Sequence, residues 1–201
     1  AAVLAHGFTA SRIGAVKYAA IFRNLGFSCV LYDHRNHGAS DKAPTTMGAC
    51  EAVDLAAVCD WTRQKLGDNA VLGTHGESMG AATVMLHAKT DAKLAFAIED
   101  CGYSDLCDEL ANGMKTQYRL PRFPLLPLAS LFSRLRGGVF YGRVQPADAV
   151  ADCPESLPML FIHGERDDFV PFAMLDRVYA KKCGKKRRRT FENAAHAESC
   201  F

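Results

Sequence analysis

The sequence predicts an α/β fold: a mostly parallel sheet with helices on both faces and a small helical insertion over one edge. Three observations carry this. Short apolar runs of strand length alternate with longer stretches of helical period. Most of the short runs are apolar throughout, as parallel strands covered on both faces require. The spacers between them have the length of right-handed crossovers.

The strand candidates, in order, are Val3–Ala5, Cys29–Tyr32, Ala70–Thr74, Leu94–Ile98, Met159–His163 and the weaker Arg189–Phe191. Ile13, Val16, Ala20 and Ile21 mark one face of a first helix, with Ser11 as candidate N-cap and Gly26 as stop. Leu55, Cys59, Thr62 and Leu66 mark a second, ended by Gly67. Ala81–Ala88 is short, rich in small residues and expected to be buried. Met174, Val178 and Lys181 mark a fourth, ended by Gly184. Residues 105–150 break the alternation with Pro121, Pro124, Pro127 and Pro146 and the pair Gly137-Gly138; this stretch is read as a cap inserted into a single domain spanning 1–201.

At 201 residues, 49% hydrophobic and 23% charged, the chain has the balance of one globular domain, which excludes a mainly disordered one. The net charge of +2 gives no overall drive toward nucleic acid. No apolar run reaches the roughly 18 residues of a spanning helix, so stable membrane insertion is not expected. Eight cysteines are scattered without C-x-x-C spacing; they read as free thiols and point to a cytoplasmic location. The chain opens on Ala1 and stops five residues after His196, and both ends read as cut.

The chemistry concentrates in four places. Gly76-Glu77-Ser78-Met79-Gly80 lies between a strand and a helix, the context that gives G-x-S-x-G its meaning as a nucleophile elbow. Ser78 would stand at a helix N-terminus, where developing negative charge is favoured. His6-Gly7-Phe8 follows the first strand, so the Phe8 and Met79 amides could converge on one oxygen as an oxyanion hole. Asp167 follows the strand Met159–His163 on a loop closed by Val170-Pro171, and is preferred as the acid over Asp168 and Asp100. Of seven histidines, only His196 follows that acid; Ser78, Asp167, His196 is the nucleophile–acid–base order of this elbow type.

These motifs, with Asp33-His34-Arg35-Asn36-His37-Gly38-Ala39-Ser40, resemble the α/β-hydrolase superfamily, and within it bacterial hydrolases near the serine aminopeptidase and prolyl-oligopeptidase branches. The resemblance spans Val3 to His196 and implies a Ser78–His196–Asp167 triad with Phe8 and Met79 as oxyanion donors. It also implies strands before Val3 and a helix after His196 that this chain lacks, and Ala195 stands where the family often has Gly.

A serine hydrolase acting on a carboxylic ester is therefore expected, with a serine peptidase acting on short peptides and a non-catalytic binding protein as alternatives. No phosphate-binding glycine loop or zinc spacing is present, and neither cofactor nor metal is expected; His34-x-x-His37 has no third ligand nearby. Oligomeric state is not legible. Residues 111–147 carry Lys115, Arg119, Arg122, Arg134, Arg136 and Arg143 but no acid. The plain reading pairs or solvates these cations; the sharper one is a cap favouring anionic esters or an anionic lipid surface. The run Lys181–Arg189, with seven cations and no aromatic residues, reads as a solvated helix end and edge connection and not as a nucleic-acid site.

Overall fold

The computed structural model describes residues 1–67 and 69–200. Six strands form one parallel sheet: β1 (Ala2–Ala5), β2 (Cys29–Leu31), β3 (Gly73–Glu77), β4 (Phe96–Asp100), β5 (Met159–Gly164) and β6 (Lys186–Phe191), in spatial order β2-β1-β3-β4-β5-β6. The order reverses between β1 and β3. In open α/β sheets the crevice beside such a switch point, at the carboxyl ends of the strands, is where ligands bind.

Two layers cover the sheet. Helix α1 (Val16–Asn24) packs Tyr18, Ala19 and Phe22 against Ala2 and Leu4 on one face. The expected face of this helix is wrong: Ile13, Val16 and Ile21 are exposed. The helix starts later than Ser11, and the two aromatic rings of Tyr18 and Phe22 take the inward positions with Ala15 and Ala19. The Ser11 hydroxyl caps nothing in α1; it accepts from the Ile13 N–H at 3.3 Å, closing a local turn.

The opposite face carries α2 (Ala49–Leu66), α3 (Met79–Ala88), α6 (Pro146–Ala151) and α7 (Ala173–Lys181). Their inward residues Leu55, Cys59, Val84, Met85, Val150 and Leu175 meet Val3, Ala5 and Phe161 in the main core. Leu66, expected on the inward stripe of α2, is exposed at the helix end. The N-terminus of α2 is held by a buried acid: Glu51 accepts from the Thr46 and Gly48 N–H groups, both at 2.8 Å. An acid at this end also complements the helix dipole.

Two strands start later than the apolar runs suggested. Ala70–Leu72 and Leu94–Ala95 lead into β3 and β4, whose last residues are the polar Glu77 and Asp100. These polar strand ends are tolerated because each finds partners, Lys17 and Tyr18 at Glu77 and Tyr18 and Ser199 at Asp100. The weak candidate Arg189–Phe191 proves to be the end of a six-residue strand. As an edge, β6 tolerates four consecutive cations, which also discourage pairing with other chains. Coverage is uneven: Phe96, Ile98 and Leu160 line a groove of about 550 Å3 and stay half-buried.

Between β4 and β5 run α4 (Leu106–Tyr118), α5 (Leu125–Gly137), a short 3-10 turn and α6. Asp105 caps α4 by accepting from the Asp108 N–H at 3.0 Å. Leu106 packs with Tyr103, Val170 and Met174 above the sheet rim. The insertion does not stand apart as far as residue 150, since Val150 belongs to the main core.

The β3–α3 turn needs its glycines for space. A Cβ on Gly76 would lie 2.1 Å from the Gly80 carbonyl oxygen, and one on Gly80 would lie 2.3 Å from the Ala5 carbonyl oxygen. All of these contacts are backbone, so nothing can swing aside. Gly80→Ala is expected to cost about 2 kcal/mol or more through overpacking, and to lower the thermal midpoint by roughly 4–8 °C in a domain of this size. Differential scanning calorimetry of the variant checks this.

Candidate active site

Ser78 follows β3 directly and is held at φ 56°, ψ −115°, a conformation that L-residues with a Cβ avoid. The turn around it is over-determined. The Ser78 N–H donates to the Asp100 carbonyl at 2.8 Å, and the Ser78 carbonyl accepts from Ala82. The side chain is thereby lifted above the rim at the N-terminus of α3.

The structure brings Ser78, His196 and Asp167 together although they lie far apart along the chain. His196 Nε2 is 3.0 Å from Ser78 Oγ, and His196 Nδ1 is 2.7 Å from Asp167 Oδ2. With Nδ1–H donating to the carboxylate, Nε2 is left to accept the serine proton. Asp167 is buried, and its Oδ1 accepts from the Phe169 and Val170 N–H groups at 3.0 and 2.9 Å. Burial alone would raise its pKa. The contacts from His163 and His196, with the Val170 N–H, outweigh burial and hold it at about 2. It is therefore an anion throughout the neutral range. Asp168 is exposed, and Asp100 faces Tyr18 and Ser199 instead of the imidazole.

Phe8 lines the same cavity as Ser78, and a Cβ on Gly7 would lie 3.5 Å from Ser78 Cβ. Met79 is the first residue of α3, so its amide is among the N–H groups that helix geometry leaves without an intrahelical acceptor.

Several side chains that the sequence did not assign hold these loops. His6 donates from Nδ1 to the Gly7 carbonyl at 2.7 Å, and its Nε2 accepts from the His34 N–H at 3.0 Å. His37 Nε2 accepts from the Thr9 N–H at 3.3 Å. Asp33 accepts from the Arg12 and Ala39 N–H groups at 2.7 and 2.9 Å and pairs with the Arg12 guanidinium at 2.5 Å. The Asp33–Ser40 motif thus works as a brace for the Gly7–Thr9 turn. On the other side, Tyr18 Oη donates within a cluster with Glu77 and Asp100, at 2.6 and 2.9 Å. Lys17 pairs with Glu77 at 2.6 Å and donates to the Ala197 carbonyl at 2.8 Å, while Ser199 donates to Asp100. This cluster ties the segment bearing His196 to the residue preceding Ser78.

Beside Ser78 opens a cavity of about 270 Å3, walled by Met47, Tyr103, Leu110, Met114, Phe169 and Val170. Among the described residues one acid lines it, Glu109, 6% exposed, and none of them hydrogen-bonds its Oε2. Burial first, and the charge of Asp167 second, push its carboxyl up to about 8, with His163 opposing. Nothing in the sequence marked this residue, because an acid in the first turn of a helix looks like an ordinary solvated end.

Among the described residues, two groups put three potential metal-ligand atoms within 4.8 Å of one another: Cys59, His87 and Asp91, and Cys101, Asp167 and His196. In the first, the Arg63 guanidinium already occupies Asp91 at 2.6 Å. In the second, Asp167 and His196 hold each other.

Comparison with known proteins agrees with this architecture. Residues 3–93 match the family described as alpha/beta hydrolase fold. An uncharacterized protein of Bacillus subtilis is 39% identical over 199 residues, which cover 98% of this chain and 65% of that protein. A lysophosphatidylserine lipase of Macaca fascicularis is 24% identical over 194 residues, covering 93% of this chain and 46% of the lipase. An esterase from Pyrococcus furiosus shares the fold with a TM-score of 0.77 at 22% identity, over 97% of this chain and 73% of that one. The chain has the α/β-hydrolase fold. It spans less than two thirds of the length of these two curated relatives.

Asp33→Ala removes the acceptor of two backbone N–H groups. It is expected to cost about 2 kcal/mol or more, read as a lower urea midpoint with an unchanged m-value.

Proposed function

We propose that this chain carries a serine hydrolase site that cleaves carboxylic esters through an acyl-enzyme. The observation that carries the reading is the unbroken path Ser78 Oγ, His196 Nε2, His196 Nδ1, Asp167 Oδ2, with steps of 3.0 and 2.7 Å between residues. Ser78 Oγ attacks the ester carbonyl carbon while His196 Nε2 takes its proton. The Phe8 and Met79 N–H groups receive the developing oxyanion. Collapse of the tetrahedral intermediate expels the alcohol, which leaves with the proton from His196. Water then attacks the acyl carbonyl, His196 again takes the proton, and Ser78 is released with the acid. The charge on Asp167 holds the imidazole tautomer and stabilises the imidazolium.

The apolar cavity beside Ser78 suits a short acyl or aryl group. Two similar proteins, the Pyrococcus furiosus esterase and the Macaca fascicularis lysophosphatidylserine lipase, are ester hydrolases by name, which supports the ester reading. Glu109 is the feature that bears on the alternative, an aminopeptidase, since a carboxylate in the cavity would hold a substrate amine. Burial pushes that carboxyl up to about 8, so anchoring an amine there would first have to ionise an acid inside an apolar cavity. This favours the ester.

A fluorophosphonate probe should label the chain and not Ser78→Ala; absence of labelling in the folded protein would leave only a binding role. Asp167→Asn is expected to lower kcat by about 10⁴ through loss of the tautomer. A panel of neutral esters and aminoacyl arylamides separates ester from peptide chemistry.

Glu109 also sets a pH limb. As pH rises through about 8 its carboxyl ionises inside the apolar cavity, so kcat/KM for a neutral ester falls. Glu109→Gln, which mimics the neutral acid, should abolish that limb and change kcat/KM at pH 7 by less than about threefold, a fraction of a tenfold step worth 1.36 kcal/mol. An alkaline fall that persists in the variant assigns it to another group.

A further inference from the structure

The helical pair α4–α5 presents an apolar face that none of the described residues covers. In α5, Leu125, Leu128, Leu131, Phe132 and Leu135 are all exposed, with Leu135 at 73%. Their spacings of three and four put them on one face of the helix. Leu126, the one buried residue of α5, projects from the other side. In the connection between the two helices Phe123 is 78% exposed. An isolated exposed leucine needs no explanation, but a contiguous apolar face of this kind marks an interaction surface.

The charge on the same segment says what would cover it. All six cations between residues 111 and 147 are exposed, and no acid accompanies them. Pairing with the preceding acids engages one of them, Arg122, which meets Asp108 at 3.2 Å while Asp108 also takes Arg177; the others are solvated. Arg134 lies over the Phe140 ring. Among the described residues, no ion pair engages Lys115, Arg119, Arg136 or Arg143. An apolar helix face flanked by unpaired cations is the composition of a helix lying in the plane of an anionic bilayer, its leucines in the acyl boundary and its cations on the headgroups. A second copy fits worse. Pairing α5 with its copy would bring Arg134 and Arg136 toward the same two cations of the other chain.

We infer that the α4–α5 hairpin is a docking surface for anionic lipid membranes. The surface adjoins the cavity: Tyr118, the last residue of α4, lines the space beside Ser78 and is itself exposed. A docked protein would thus present its cavity to amphiphiles held at the interface. The membrane contact goes beyond the ester-hydrolase reading, and Ser78→Ala should bind vesicles as well as the wild type does. Failure of either is therefore told apart.

The test is co-sedimentation with phosphatidylglycerol vesicles and with phosphatidylcholine vesicles, across a salt series. Partitioning is expected onto the anionic vesicles alone and should weaken with salt. Arg134→Glu/Arg136→Glu should lower the partition coefficient by about thirtyfold or more, from the loss of two headgroup contacts. Phe132→Ser/Leu135→Ser should lower it by at least tenfold, while circular dichroism and turnover of a short soluble ester stay unchanged. Equal partitioning onto phosphatidylcholine, or none onto phosphatidylglycerol, overturns the inference. So does a dimer in sedimentation velocity that the Phe132→Ser/Leu135→Ser variant dissociates, since the face then belongs to a second copy.

Discussion

The structure depends on one strained residue. Ser78 sits at a positive φ because β3 must turn into α3 within a residue, and the space for that turn exists only where Gly76 and Gly80 carry no Cβ. The tight fit makes the turn rigid: backbone meets backbone from β1, and the Ser78 N–H is fixed on the Asp100 carbonyl. Strain of this kind persists only where the surroundings leave the chain no alternative. It aims a hydroxyl over the sheet rim at a helix N-terminus.

Everything else at the rim is arranged to meet that hydroxyl. Three loops from different strands converge on it, and each has its own anchor. The loop after β1 is braced by Asp33, His34 and His37 from the loop after β2. The loop after β5 folds around Asp167, which collects two N–H donors from its own turn before it reaches His196. The segment after β6 is tied down through Lys17, Tyr18, Asp100 and Ser199. Asp100 ends a strand, as a catalytic acid could, and the structure shows the other use of such a position. It supports the loop that carries the imidazole. Burial first raises its pKa, and hydrogen bonds from Ser199 and Tyr18 oppose that rise.

The insertion between β4 and β5 joins the rim to its surroundings. Leu106 and Leu110 pack α4 down onto Val170 and Met174. The same helix carries Glu109 into the cavity and ends at Tyr118, whose ring reaches both cavity and solvent. Its partner α5 contributes little to the core, so its apolar face is available for something outside the chain.

The sequence by itself determined the order of elements, the parallel sheet and the residue types at the rim, because these follow from local periodicity and short motifs. G-x-S-x-G is readable since its glycines answer a local steric demand, and Ser78, Asp167 and His196 are readable since each follows a strand in turn. The side of α1 that faces inward was not readable: Ile13 and Ile21 are as apolar as Tyr18 and Phe22, and only the shape of the sheet selects the aromatic pair. The onset of β3 and the length of β6 were missed for a related reason. The cations of β6 are solvated at the sheet edge, while β3 buries Thr74 and His75 among its glycines, so apolar content marks the bounds of neither strand. Tertiary structure alone decided that Glu109 is buried and mostly neutral, that Asp33 and His37 are braces, and that Asp100 supports a loop. Burial and partnership are set by segments 20 to 100 residues away, and no local pattern encodes them.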